Sequence, residues 1–287
     1  MTVCVAVQVN DCMVFAADSA SSMVGQDGAG NPVVSNVYNH GQKVFSLRKG
    51  LPIMAMTCGM GNIGGSSISI LAKELRALLT NDNGWKLDPA SYTIEDVCSK
   101  ANKYFYEMQY LGDENRPKGE HSFELFVGGI SSGERLGEVW KISVINGQAS
   151  GPVCVSPRGQ FGVIWAGQPE ALNRLILGYS GLVPQGLTEA GIKEAEVGPL
   201  MDAIRSKTQA ALTHPAMPVQ DAIDLADFLV DLTIRFTKFL PGANTVGGAV
   251  DVATVTRHEG FKWIRRKHYY PANLNPLETG HVGEPQA

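Results

Sequence analysis

Nowhere in the 287 residues is there an uninterrupted apolar run of about 18, so no membrane-spanning helix is expected. Metal-binding spacing is missing as well. The six histidines (40, 121, 214, 258, 268 and 281) form neither HExxH nor an i,i+4 pair, and no metal site or other cofactor is expected. The five cysteines, Cys4, Cys12, Cys58, Cys98 and Cys154, are odd in number and contain no CxxC. That argues against a disulfide framework and for a reduced, cytoplasmic chain. The first twenty residues are apolar but lack a basic leader and carry Asp11 and Asp18, which does not fit a signal peptide. A strong excess of one charge is missing too: a net charge of −4 and a pI near 5.9 give no reason to expect nucleic acid as a partner. The one basic run, Arg265-Arg266-Lys267-His268, has no aromatic-basic stripe extending it and reads as a solvated or subunit-contact face.

What is present is a clear alternation of periods. Val3, Val5, Val7 and Val9 alternate with Cys4, Ala6, Gln8 and Asn10, a strand pattern rich in β-branched residues. Asn10-Asp11 turns the chain into a second strand over 12–18. A glycine- and asparagine-rich loop is expected over 24–41, then strands at 43–48 and 51–58. Ile68, Leu71, Leu75 and Leu78 predict a helix that ends at Asn81-Asp82-Asn83-Gly84. A second helix is predicted over 93–110, with Thr93 as cap and Asp96 completing a capping box. Strands follow at 122–130, 135–145 and 148–155, with Asn146-Gly147 as a hairpin turn. A strand at 161–166 leads to helices at 169–180, 197–213 and 219–240. The last is apolar nearly all round and reads as buried. Gly247-Gly248 opens a final hairpin, 249–256 and 261–266.

Every convincing strand pair is a tight hairpin, so the sheets should be mostly antiparallel. Two sheets facing each other with helices outside would bury both kinds of apolar face. No linker or repeat divides residues 1–270, which read as one domain. Residues 271–287, rich in proline, glycine and polar side chains, read as a disordered tail.

Gly59-Met60-Gly61-Asn62-Ile63-Gly64 spells GxGxxG between a predicted strand and a predicted helix, the local context of a dinucleotide fingerprint. The parallel strand ending in an acid that should follow is missing. A tight turn is the plainer reading, and nucleotide binding through 59–64 is kept as a remote alternative.

Thr2 follows the initiator methionine, and small residues there generally permit its removal. The exposed α-amine would titrate near 7.7–8.0. It could then serve as base for the hydroxyl of its own residue. Cys4 and Ser19 are alternative nucleophiles, but neither has a base at a fixed spacing.

Five segments carry a resemblance in order and spacing over about residues 2–265. They are Thr2-Val3-Cys4-Val5-Ala6-Val7, Val14-Phe15-Ala16-Ala17-Asp18-Ser19, Gly41-Gln42-Lys43-Val44-Phe45, Met56-Thr57-Cys58-Gly59, and Gly247 through Arg257. Together they resemble proteasome β subunits, and the short start looks most like the bacterial HslV and Anbu groups. The resemblance implies an α+β fold, a four-layer αββα sandwich of two mostly antiparallel sheets flanked by helices, as in N-terminal-nucleophile (Ntn) hydrolases. It implies Thr2 as nucleophile, Lys43 as the cation that lowers its proton affinity, Asp18 as the acid that orients Lys43, and the Gly59 N–H as oxyanion donor. Read alone, Lys43 would be a surface lysine and Asp18 a turn or cap residue.

The same resemblance places Ser21, Thr57 and Gly61 on the wall of a substrate pocket. It implies a threonine-type peptidase or amidohydrolase acting on peptide or protein in a homo-oligomeric ring or related multimer, with any unfoldase partner unspecified. The chain departs from the family where an aspartate and two serines surround the terminal amine. Those positions hold Ala243, Gln168 and Val246, with Asn244 or Thr245 as substitutes. The alternative is therefore a catalytically inactive assembly subunit of the same fold.

Overall fold

The computed structural model describes residues 2–28, 30–117 and 119–267, so the expected tail at 271–287 lies outside the described residues. The chain opens with β1 (Val3–Gln8) and β2 (Cys12–Ala17), an antiparallel hairpin. β3 (Ser21–Gln26) and β4 (Pro32–Tyr38) form a separate two-stranded ribbon where a loop was expected. Their side chains are largely exposed, so the pairing leaves no burial pattern in the sequence. β5 (Val44–Ser46) and β6 (Ile53–Gly59) follow, then a minimal ribbon, β7 (Asn62–Ile63) with β8 (Ser66–Ser67).

Helix α1 (Ile68–Asn81) starts where the Ser67 hydroxyl accepts the Ile70 amide. Helix α2 (Ile94–Asn102) is capped by the Thr93 hydroxyl, which accepts the Asp96 amide at 3.1 Å. It continues as a π-helical segment, Lys103–Tyr110, closed by Leu111 N–H donating to the Tyr106 carbonyl at 2.9 Å. The meander comprises β9 (Ser122–Gly129), β10 (Glu138–Ile145), β11 (Gln148–Ala149) and β12 (Val153–Ser156). Asn146 and Gly147 both have positive φ, as a two-residue type I′ turn requires.

β13 (Gly162–Gly167) leads to α3 (Glu170–Leu172) and a second π-helical segment, Asn173–Leu177. A short helix absent from the sequence expectations, α4 (Val183–Glu189), precedes α5 (Glu194–Thr208) and α6 (Val219–Thr237). β14 (Asp251–Thr256) and β15 (Gly260–Arg265) close the chain.

One sheet runs β13-β1-β2-β14-β15, and the other β11-β10-β9-β6-β5 with β12 also on β10. Every pairing is antiparallel, so the fold is α+β with antiparallel sheets and helices. The alternation in β1 separates two apolar environments rather than core from water. Val3, Val5, Val7 and Val9 pack with Ala226, Leu229 and Val230 of α6, while Cys4 and Ala6 pack with Met54, Met56 and Phe126 of the second sheet. The sheets approach so closely at Phe15 that a Cβ on Gly128 would sit 2.6 Å from its ring. On its other side the second sheet buries Leu125, Val127 and Ile142 against Leu71, Leu75 and Val97 of α1 and α2. Each fully buried Leu, Val or Phe of this kind contributes roughly 1.5–3 kcal/mol.

Helix α6 corrects one expectation. Ala222, Ile223, Ala226, Leu229 and Val230 face inward, but Phe228 is 51% exposed, and Phe239 just beyond the helix is 82% exposed. The five cysteines are free; burial raises Cys12 to about 11 and Cys98 to about 12, which makes both inert core thiols. Among the described residues no helix is long and apolar enough to cross a membrane.

Candidate functional site

Asp18 lies at the end of β2, fully buried, where a bare carboxylate would be prohibitive. Its two oxygens are saturated by four donors. Oδ1 accepts the Lys43 ammonium at 2.6 Å and the Val3 amide at 3.0 Å. Oδ2 accepts the amides of Ala20 at 3.1 Å and Gly247 at 3.0 Å. The carboxylate thus fastens the start of β1, the segment before β5 and the approach to β14. Lys43 is held from the other end as well, its carbonyl accepting the Thr57 amide at 3.0 Å. Because Val3 N–H and the Lys43 ammonium share one oxygen, Lys43 lies close to the backbone that directly follows Thr2.

Thr2 is itself buried, and its carbonyl accepts the Gln168 amide at 2.7 Å. Gly167 permits that approach: its φ is +90°, and a Cβ there would stand 1.9 Å from the Thr2 carbonyl oxygen. Gly59 closes β6 in the left-handed region, with φ of +93°, and a Cβ would stand 2.1 Å from the Ser122 carbonyl oxygen. It is exposed at the sheet end, where a side chain is excluded by geometry.

The three predicted pocket residues divide. Ser21 and Gly61 come together, a Cβ on Gly61 lying 3.2 Å from Ser21 Oγ. The hydroxyl of Thr57 turns away into the sheet and donates to the Glu124 carbonyl at 3.0 Å, leaving the residue buried. Of the residues expected around the terminal amine, Val246 and Thr245 are buried, while Ala243 and Asn244 are exposed.

The alternative nucleophiles are both fully buried. Cys4 donates its thiol proton to the Thr57 carbonyl at 3.0 Å, and the hydrogen bond between Cys4 and Cys58, with burial, pushes the Cys58 thiol well up. Ser19 donates to the Ala249 carbonyl. Its oxygen also accepts from Lys267, whose ammonium donates to Ser19 Oγ and to Asp251 Oδ2 and so is no base for that hydroxyl. The glycine loop 59–64 does not sit in a βαβ unit: β6 pairs antiparallel with both β5 and β9, and the loop itself contains β7, which pairs with β8 before α1 begins. Among the described residues no group of three or more His, Cys, Asp or Glu side chains is placed to hold a metal ion.

Lys267 is the residue that sequence reasoning missed. Reading the basic run as a solvated face is wrong for it: its side chain is 6% exposed and its Asp251 partner 1%. Burial lowers the Lys267 pKa, Asp251 opposes the shift, and the nearby Lys43 ammonium lowers it further. The sequence signal was Asp251, an acid inside an apolar strand, which needs a cation somewhere in the chain. Arg265 instead pairs with Asp227, and Arg266 stacks 5.0 Å over the Trp263 ring. His268 lies outside the described residues. Lys267→Met should therefore cost about 3–5 kcal/mol by stranding a buried carboxylate. The double change Asp251→Leu with Lys267→Met should recover much of that loss, as read by urea unfolding.

No family model matches the chain, and no curated protein does. Among solved structures it is similar to one described as the helical assembly of the Anbu complex from Pseudomonas aeruginosa. The identity is 16% and the TM-score 0.49, covering 93% of this chain and 88% of that one.

Proposed function

We propose that residues 1–270 form one proteasome-like Ntn-hydrolase domain, a four-layer αββα sandwich, acting as a threonine-type peptidase or amidohydrolase through Thr2. One observation carries the reading. A fully buried carboxylate, Asp18, binds the Lys43 ammonium and the amide that follows Thr2 through the same oxygen. A lysine in that position is a buried, paired ammonium close to the backbone that follows Thr2, not a solvated surface charge.

The chemistry follows from these groups. Removal of Met1 frees the Thr2 α-amine, and the adjacent Lys43 charge favours its unprotonated form. The amine takes the proton of the Thr2 hydroxyl as Oγ1 attacks a substrate carbonyl, and the carbonyl π pair moves onto oxygen. In this reading the Gly59 N–H is the donor to that oxyanion. Collapse of the intermediate expels the substrate amine, which takes the proton from the ammonium of Thr2. Water then adds to the ester with the α-amine again as base, releasing the acid and restoring the hydroxyl.

The second reading, an inactive assembly subunit, is favoured by a specific observation: neither Ala243 nor Val246 supplies a hydroxyl or acid to the terminal amine. Two measurements separate the readings. Intact mass and N-terminal sequencing should show Met1 removed, and a threonine-directed β-lactone should add once, at Thr2. A free Thr2 that does not react supports the inactive subunit, and an adduct on Cys4 or Cys58 overturns the assignment.

Self-association belongs to both readings. It is supported by Phe228, Phe239 and Leu240 on one flank and by Met23, Val24, Val33 and Tyr38 on the β3-β4 ribbon, all exposed. Sedimentation should show a multimer at micromolar concentration, and a monomer there would remove this part of the proposal.

A further inference from the structure

A cleft of about 220 Å3 opens between β5, α1 and the end of β15, and its wall carries Lys49, Lys73, Arg76 and Arg266 with no acidic residue. That composition is unusual in a chain whose net charge is −4. The four cations come from three separate segments: the turn after β5, one face of α1, and the residue that follows β15. They are not an incidental run in the sequence. The fold brings them together.

Arg76 and Arg266 are apposed without a counter-charge between them. Burial, and then the Arg266 charge, hold Arg76 below the ordinary arginine value. Among the described residues neither these two arginines nor Lys73 makes an ion pair, whereas Arg265, one position earlier, is paired with Asp227. Two guanidinium groups facing one cleft repel each other, and a bound anion converts that cost into attraction. Arg266 also lies 5.0 Å over the Trp263 ring, a contact that restrains its guanidinium at the cleft. Phe45 and Trp263 supply apolar wall beside the charges.

We propose that this cleft binds a small molecule through a diphosphate group. Two guanidinium forks and an ammonium offer more positive charge than one carboxylate can match. Planar forks suit phosphate oxygens, which accept two parallel N–H bonds. The space holds about seven waters at ~30 Å3 each, enough for a diphosphate group, with the organic part directed past Trp263 toward the opening. The site stands on its own residues and is independent of whether Thr2 is reactive.

The test is calorimetric titration of the full chain with inorganic pyrophosphate, with ADP and citrate in parallel. Pyrophosphate should bind, and added salt should weaken it. Arg76→Gln and Arg266→Gln should each reduce affinity by about ten-fold or more, the size of losing one charge-assisted contact. Lys193→Gln, which removes the same charge at the exposed start of α5, should leave it unchanged. Arg266→Gln reports the site even if Arg76→Gln unfolds, which thermal melts would reveal. ADP binding more tightly than pyrophosphate, with the gain lost in Trp263→Ala, would support the placement of the organic part. No heat at millimolar pyrophosphate, equal binding by Arg76→Gln and Lys193→Gln, or tighter binding of citrate would overturn it.

Discussion

Thr2→Ala is expected to abolish hydrolysis and lactone labelling while leaving the fold in place. Alanine at position 2 still permits removal of Met1, so the variant keeps the α-amine and loses only the attacking oxygen. Loss of a nucleophile elsewhere costs about a million-fold in turnover, because the remaining groups have nothing to activate. The structural cost should be small, about 1 kcal/mol, since the anchoring contact of Thr2 is its carbonyl with the Gln168 amide, which alanine retains. The two readouts are therefore cleanly separable: labelling by mass and stability by urea. Residual turnover within a few fold of the parent would show that Thr2 is not the nucleophile.

Asp18→Asn should damage site and fold together. Asparagine has nearly the same shape, but one oxygen becomes an NH2 group. Every arrangement then points that NH2 at donors, either at Lys43 and the Val3 amide or at the amides of Ala20 and Gly247. Lys43, 7% exposed, is also left without its counter-charge. Breaking a buried pair in this way costs about 3–5 kcal/mol, a large part of a domain's typical stability. Labelling at Thr2 should fall with it, because the cation that favours the free amine is no longer held. Asp18→Asn with parental stability and parental labelling would remove Asp18 from both roles.

How much of this was legible from the residues depended on burial. The β1-β2 hairpin could be read because each face of β1 meets a core, so Val3 to Val9 keep a strict period of two. Helix α1 could be read because Leu71 and Leu75 face the second sheet at helical spacing. The β3-β4 ribbon could not, since its strands are held by backbone pairing in the open and leave polar and glycine residues free to vary. Helix α4 was missed for a related reason: it contains Pro184 and Gly186 and buries none of its side chains. In α6 the apolar residues are real, but composition alone could not say that Phe228 points outward while Leu229 points in.

The candidate site was legible only as separate fragments. Asp18 and Lys43 were identified by resemblance, and the structure joins them at 2.6 Å. The four donors on Asp18 come mainly from backbone amides, which no side-chain pattern records. Lys267 was hidden because three neighbouring cations invite one common reading, while the fold gives Arg265, Arg266 and Lys267 three different partners.

The contact between the Gly247 amide and Asp18 spans 229 residues, and that between Lys267 and Ser19 spans 248. Synthesis proceeds from the N-terminus, so the residues that would react are made first and the groups that set their carboxylate are made last. A nascent chain that ends before residue 247 holds Thr2, Asp18 and Lys43 but leaves Asp18 Oδ2 with the Ala20 amide alone. Such pairings also come late in folding, because long loops must close before distant contacts form. On the peptidase reading, a product truncated before residue 247 keeps three of the four donors on Asp18 and should label at Thr2 less than the full chain does.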